Sequence, residues 1–128
     1  MPFTKFEFCR DMFDKLTEKL DKEYQEVSDS WENQDDISNW LEEFFVYNGN
    51  NDNSIYYLSD YKTYLNKMMT EYDDIISWLN DEDMLDDVKA SEMTKNLIFK
   101  KVLYLVCKET CDIYANGIAA DFDKFEDE

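Results

Sequence analysis

The sequence predicts an all-α fold, a single-domain bundle of four main helices plus a short acidic helical turn, covering residues 1–128. Three observations carry this. Two Gly and one Pro in 128 residues leave few tight turns, and strand-rich folds need many. Apolar residues recur at steps of three and four over long stretches. Nine Phe, nine Tyr and three Trp supply more large rings than a disordered chain carries. At this length roughly two-thirds of the unfolded surface can be buried, enough for a real core.

The first helix is predicted over about 4–32. Thr4 is a suitable N-cap, Glu7 completes a capping box, and Phe3 and Phe8 take the staple positions. Phe6, Cys9, Phe13, Leu16, Leu20, Tyr24, Val27 and Trp31 then form one amphipathic stripe. A second helix, 35–47, begins at Asp35 or Asp36 and buries Ile37, Trp40, Leu41, Phe44, Phe45 and Tyr47. "NGNNDNS", 48–54, ends it, because Asn and Gly tolerate the left-handed conformation of a C-cap. "IYYL", 55–58, has no partner strand and reads as helix or loop.

The third helix is expected over 59–80, with Tyr61, Leu65, Met68, Tyr72, Ile75, Ile76 and Leu79 inward. "NDEDMLDDV" follows as the acidic turn, with Met84, Leu85 and Val88 facing in. The last long helix, 91–116, is apolar nearly all round in "LIFKKVLYLVC", as befits the centre of a bundle. Asn116 and Gly117 are expected to cap it, leaving 118–128 as a frayed tail.

Charge is the second strong signal. The net charge is −18, from 31 acids and 13 bases, of which only Arg10 is Arg. From Glu23 to Asp60 there are ten acids and no base; from Met68 to Val88 there are eight more and again no base. The remaining 13 acids are matched by 13 bases, so the whole excess lives in two blocks. Nucleic acid and anionic membranes are poor direct ligands for such a surface, and a basic protein is the favoured partner.

Several chemistries lack their residues. With no His, Ser–His and Cys–His nucleophile pairs, imidazole metal sites and di-iron Glu-x-x-His bundles are all missing. The two glycines stand 68 residues apart, so no phosphate-cradling loop exists. EF-hand spacing fails from Asp81, where Leu85 and Asp86 take positions five and six, and from Asn48, where Ser59 takes position twelve. Cys107 and Cys111 are four apart, not Cys-x-x-Cys, and with Cys9 they read as buried free thiols in a reducing compartment. No signal peptide is expected, because acids interrupt the first residues before an apolar run forms, and no run reaches the ~20 apolar residues that span a bilayer. A non-enzymatic, cofactor-free, metal-free cytoplasmic protein is the expectation.

A solubility device needs a net charge of only about 2–8 in a small domain. This chain goes well past that and omits the Lys at i+4 that would support its helices. Carboxylates three or four apart on a helix stand about 5–6 Å from each other. Glu23, Glu26, Asp29 and Glu32 form such a row, continued past the turn by Asp36; Glu71, Asp74 and the cluster Asp81, Glu82, Asp83, Asp86 and Asp87 form another, and Asp35 and Asp73 join them as expected partner contacts. Duplex DNA offers one charge per roughly 1.7 Å of axis, a field that two carboxylate rows imitate. Tyr56, Tyr57 and Tyr64 lie beside these blocks and are the expected ring contacts. Trp31, Trp40 and Trp78 are assigned to the core or its edge.

In these two base-free blocks, 23–60 and 68–88, the chain resembles small acidic phage and mobile-element proteins that mimic DNA, including anti-restriction and acidic anti-CRISPR proteins. The resemblance implies an inhibitor that fills the nucleic-acid channel of a host nuclease or other defence enzyme. It implies nothing about fold. An A+T-rich coding bias, seen in abundant Asn, Asp, Lys, Ile and Tyr, points to a low-GC bacterial host or its phage. Two other classes stay open: an acidic adaptor or chaperone for a basic protein, and a homo-oligomer, with the long stripe of the first helix as the surface for a homodimer.

Overall fold

The computed structural model describes residues 2–85 and 93–126, and among them the fold is all-α with no strand. Among the described residues five helices form: α1 (Glu7–Val27), α2 (Gln34–Gly49), α3 (Tyr61–Thr70), α4 (Tyr72–Asp81) and α5 (Lys95–Glu126). Short 3-10 turns, Pro2–Lys5, Ser28–Ser30 and Ser54–Tyr57, join or precede them. The "IYYL" stretch thus begins as 3-10 helix, in line with the reading of helix or loop.

α5 is the central element and packs against α1, α2 and α3. Its Ile98, Phe99, Val102, Leu103, Val106 and Cys107 are fully buried. Burial of each large apolar chain contributes about 1.5–3 kcal/mol, so this helix holds the bundle. It does not stop at Asn116 and Gly117 but continues to Glu126. Gly117 is simply tolerated inside it, with nothing within 4 Å of where a Cβ would stand.

α1 starts later than the sequence suggested. Phe6 is extended, at φ −102° and ψ 119°, and its N–H donates to the Phe3 carbonyl at 3.0 Å. The break has a packing reason. Phe3, Phe6 and Phe8 are all buried, and one continuous helix would put Phe8 roughly opposite the other two. The stripe that follows is spent inside the chain: Cys9, Met12, Leu16 and Leu20 are fully buried. A homodimer through this face would have to unpack the core. α1 also ends early, at Val27, where Ser30 Oγ donates to the Val27 carbonyl at 2.7 Å. Trp31 then turns back, 5.4 Å from Tyr24 and 5.2 Å from Trp40 between ring centroids. Tyr114 of α5 closes this aromatic group, and its hydroxyl donates to Asp21 at 2.7 Å.

The cap of α2 is Asn33, not Asp35 or Asp36. Asn33 Oδ1 accepts from the Asp35 N–H at 2.9 Å. Asp36 Oδ2 answers by accepting from the N–H groups of Glu32 at 2.7 Å and Asn33 at 3.3 Å, a complete capping box. At the other end Gly49 keeps a negative φ. Its role is close approach: a Cβ there would lie 2.6 Å from Cys107 Cβ and 3.0 Å from its Sγ.

The expected third helix is two helices. Thr70 Oγ1 donates to the Lys67 carbonyl at 2.6 Å, a local bond that competes with helix continuation, and Glu71 departs to φ −120°, ψ 27°. α3 turns Tyr64, Leu65 and Met68 inward, and α4 turns Ile75, Trp78 and Leu79 inward. After α4 the described part of the acidic stretch, to Leu85, makes a hydrogen-bonded turn, and the rest of the expected helical turn lies outside the described residues. Asp83, at φ 57°, takes the left-handed position; its N–H donates to Asn80 O at 3.1 Å and that of Met84 to Leu79 O at 2.9 Å, the Schellman pattern. Met84 and Leu85 are half-buried as expected, while Val88 lies outside the described residues.

Candidate functional site

Helix breaks decide where the acids go. The row drawn through Glu23, Glu26, Asp29 and Glu32 is not one helical face. Glu23 and Glu26 belong to α1, Asp29 to the 3-10 turn, and Glu32 to the connection after it. Glu26, Asp29, Glu32 and Asp35 are exposed. Asp36 is half-buried in its capping bonds, so it belongs to the fold rather than to a partner. In the second block Glu71 sits half-buried at the break. Asp73 and Asp74 stand exposed in the first turn of α4, where the helix dipole favours negative charge. Asp81, Glu82 and Asp83 are exposed around the Schellman turn. Asp86 and Asp87 lie outside the described residues.

The tyrosines divide differently from expectation. Tyr64 is buried and belongs to the core, because α3 turns it inward with Leu65 and Met68. Tyr56 is 53% exposed and meets Tyr61 edge-on at 5.2 Å. Tyr57 is half-buried and stacks on Tyr47, centroids 4.2 Å apart and planes within 3°. Tyr47, expected in the core, is itself 53% exposed. It stands on the inward stripe of α2, but at the last turn. There Gly49, not Tyr47, meets α5, and Tyr57 covers one ring face.

The acids are conspicuously unneutralised. Among the described residues one ion pair forms, Lys67–Asp11 at 3.7 Å, and both partners lie outside the two blocks. Among the described residues the exposed carboxylates of the two blocks therefore form no ion pair.

Two hollows on α2 collect residues that the sequence did not single out. One, of about 490 Å³, lies between α1 and α2 and is lined by Lys19, Glu23, Trp40, Glu43, Phe44, Tyr47 and Asn48. Its neighbour, about 570 Å³, is lined by Asn39, Glu42, Glu43, Val46, Tyr47 and Asn51. Glu43 and Tyr47 border both. The missed residues had a signal: Asn39, Glu42, Glu43 and Val46 recur at helical spacing on the outward side of α2, within the first base-free block.

The first hollow has unusual electrostatics. Burial raises the Glu23 carboxyl above the usual range; the Trp40 N–H draws it down, Glu26 pushes it up, and Lys19 draws it down again. The Trp40 indole N–H is buried and lies toward that carboxyl, close enough to stabilise its charge but without a hydrogen bond of ordinary geometry. Lys19 does not neutralise the acids: its Nζ donates to the Tyr57 carbonyl at 2.8 Å and to Asn48 Oδ1 at 3.4 Å. Burial lowers its ammonium from the ordinary lysine value, against the raising influence of Cys107 and Glu23. Asn48 is fixed in turn, donating to the Phe44 carbonyl at 3.1 Å.

Cys9, Cys107 and Cys111 are all buried free thiols. Among the described residues no helix is long and apolar enough to cross a membrane. The chain matches no family model, no curated protein and no solved structure.

Proposed function

We propose that this chain is a non-enzymatic inhibitor whose acidic surface stands in for nucleic acid in the binding channel of a basic nucleic-acid-binding protein. The favoured target is a nuclease or other defence enzyme of a bacterial cytoplasm, which makes the chain anti-CRISPR or anti-restriction in type. One observation carries the reading: among the described residues the exposed carboxylates of both base-free blocks form no ion pair, and the one pair that does form lies outside them. A fold that leaves so much like charge uncompensated accepts self-repulsion, and a basic partner relieves it.

The test is capture from a bacterial lysate on the immobilised chain, with a salt step, duplex DNA as competitor, and polyglutamate as a control for charge alone. Mimicry predicts a nucleic-acid-binding protein that DNA displaces better than polyglutamate does and that elutes at a few hundred millimolar salt. Its nucleic-acid activity should fall when the free chain is added. A partner that resists salt and ignores DNA would instead favour the acidic adaptor, for which exposed Val46 and Tyr47 would supply the apolar contact.

A further inference from the structure

We infer that the hollow between α1 and α2 receives one arginine side chain of the basic partner, with Glu23 and Glu43 as its carboxylate ligands. The inference rests on the functional reading above and gives it a specific contact. The walls supply the needed chemistry from two helices: Glu23 from α1, and Glu43, Phe44 and Tyr47 from α2. The volume, about 490 Å³, falls within the ~300–1,000 Å³ of ordinary ligand sites.

Two buried indole N–H groups among the described residues, those of Trp40 and Trp78, form no hydrogen bond, and that of Trp40 lies in the wall of this hollow toward Glu23. Trp40 is 9% exposed and its indole nitrogen is fully buried without a partner. An unsatisfied buried donor costs about 1–3 kcal/mol, so native structures rarely leave one unexplained. An ionised carboxylate has about four acceptor positions. A cation that draws Glu23 inward lets one carboxylate accept from the ligand and from the Trp40 N–H together.

Arginine fits better than lysine. Its guanidinium is planar, donates in a fork matched to carboxylates, and stacks on aromatic faces. Tyr47 has one face covered by Tyr57, while the side chain remains half exposed. A guanidinium on its other face extends that stack. Lys19, the one cation in the wall, donates to the Tyr57 carbonyl and Asn48 and forms no ion pair with either carboxylate.

The experiment is a titration of the ¹⁵N-labelled full chain with the blocked tripeptide acetyl-Gly-Arg-Gly-amide, following the Trp40 indole N–H, which the W40F variant assigns. Lysine and citrulline versions of the peptide are run in parallel. The expected result is a saturable shift with arginine, severalfold weaker binding with lysine, and none with uncharged citrulline. E23Q and E43Q should each weaken binding about tenfold, and D14N, at an exposed position outside both blocks, should leave it unchanged. A citrulline response equal to that of arginine overturns the inference, as do unsaturable shifts spread over both acidic blocks, or E23Q and E43Q chains that are folded and bind undiminished.

The two readings fail separately. If E23Q/E43Q captures a DNA-displaced partner as tightly as the unaltered chain, the arginine site falls and mimicry stands. If the arginine peptide binds as described but no captured protein is displaced by DNA, the site stands and mimicry falls.

Discussion

Two of the hollows along α1, one against α3 and one against α2, handle their carboxylates differently. The first is lined by Asp11, Asp14, Glu18 and Asp60, interleaved with Lys15 and Lys67, and it holds the Lys67–Asp11 ion pair. The second has Glu23 and Glu43, and its only lysine is turned to a carbonyl and an amide. Screening confines surface fields to about 8–10 Å at physiological ionic strength. A partner therefore feels the local balance and not the net −18. Against α3 one of the four acids, Asp11, is tied up in an ion pair; against α2 neither Glu23 nor Glu43 is.

The largest expected effect separates the two hollows directly. Opposite charges in contact in water attract by about 1 kcal/mol per pair. E42K/E43K should accordingly weaken binding of an arginine-rich peptide about a hundredfold at fixed, low salt, measured by calorimetry. D11K/D14K should cost less than about threefold. Equal losses would show that only total charge matters and would erase the contrast.

Next comes the seat of α2. G49A pushes a methyl group into Cys107 and should cost about 1–3 kcal/mol in urea or thermal unfolding. Because Tyr47 and Asn48 ride on the same last turn, arginine-peptide binding should drop with it. Full stability in that variant would mean that α2 sits less tightly on α5 than the 2.6 Å approach demands.

Lysines sharpen the comparison further. K19M leaves the Tyr57 carbonyl without its donor and should destabilise the chain by about 1 kcal/mol. The same variant should bind arginine peptide severalfold more tightly, since a cation leaves the wall. K15M, at an exposed position, should change stability by less than about 0.5 kcal/mol. A loss of both stability and affinity in K19M would make Lys19 a positioning residue of the site.

The smallest effect is in pH. The folded Glu23 carboxyl is raised, chiefly by burial, so its protonated form is favoured by folding. Its contribution to stability is present below the unfolded value, about 4.3, and is lost as pH rises through the higher folded value. E23Q should therefore melt slightly above the unaltered chain at pH 7, and the gap should close as pH falls toward about 4. A gap that widens on acidification would reverse the sign assigned to this burial.

The sequence carried the fold class because it rests on periodicity, and periodicity survives local breaks. α1 keeps Cys9, Met12, Leu16 and Leu20 on one buried stripe although it starts at Glu7 and ends at Val27. The breaks were less legible. At Phe6 three phenylalanines compete for the core, and at Thr70 a hydroxyl competes with the backbone ladder, with neither Gly nor Pro to announce it. Those breaks scattered the acidic rows, since a row drawn at helical spacing presumes an unbroken helix. Spacing also misplaced two rings. Tyr64 lies on the flank of a stripe and is buried; Tyr47 lies on a stripe and is half exposed, because the end of α2 is seated by Gly49. The α2 hollows depend on how two helices meet, which periodicity within one helix does not encode.

The Gly49–Cys107 contact has a consequence for kinetics. Thiol reagents attack only the thiolate. Contact with Cys111 and burial push the Cys107 thiol up, and burial pushes Cys9 up as well. Both react only when the bundle opens. Cys9 lies on α1, and Cys107 lies on α5 beneath the last turn of α2. A partner that clamps α2 against α5 should slow alkylation of Cys107 while sparing that of Cys9. The native thiols thus act as two built-in clocks, which tell without any added probe which helices a bound partner holds still.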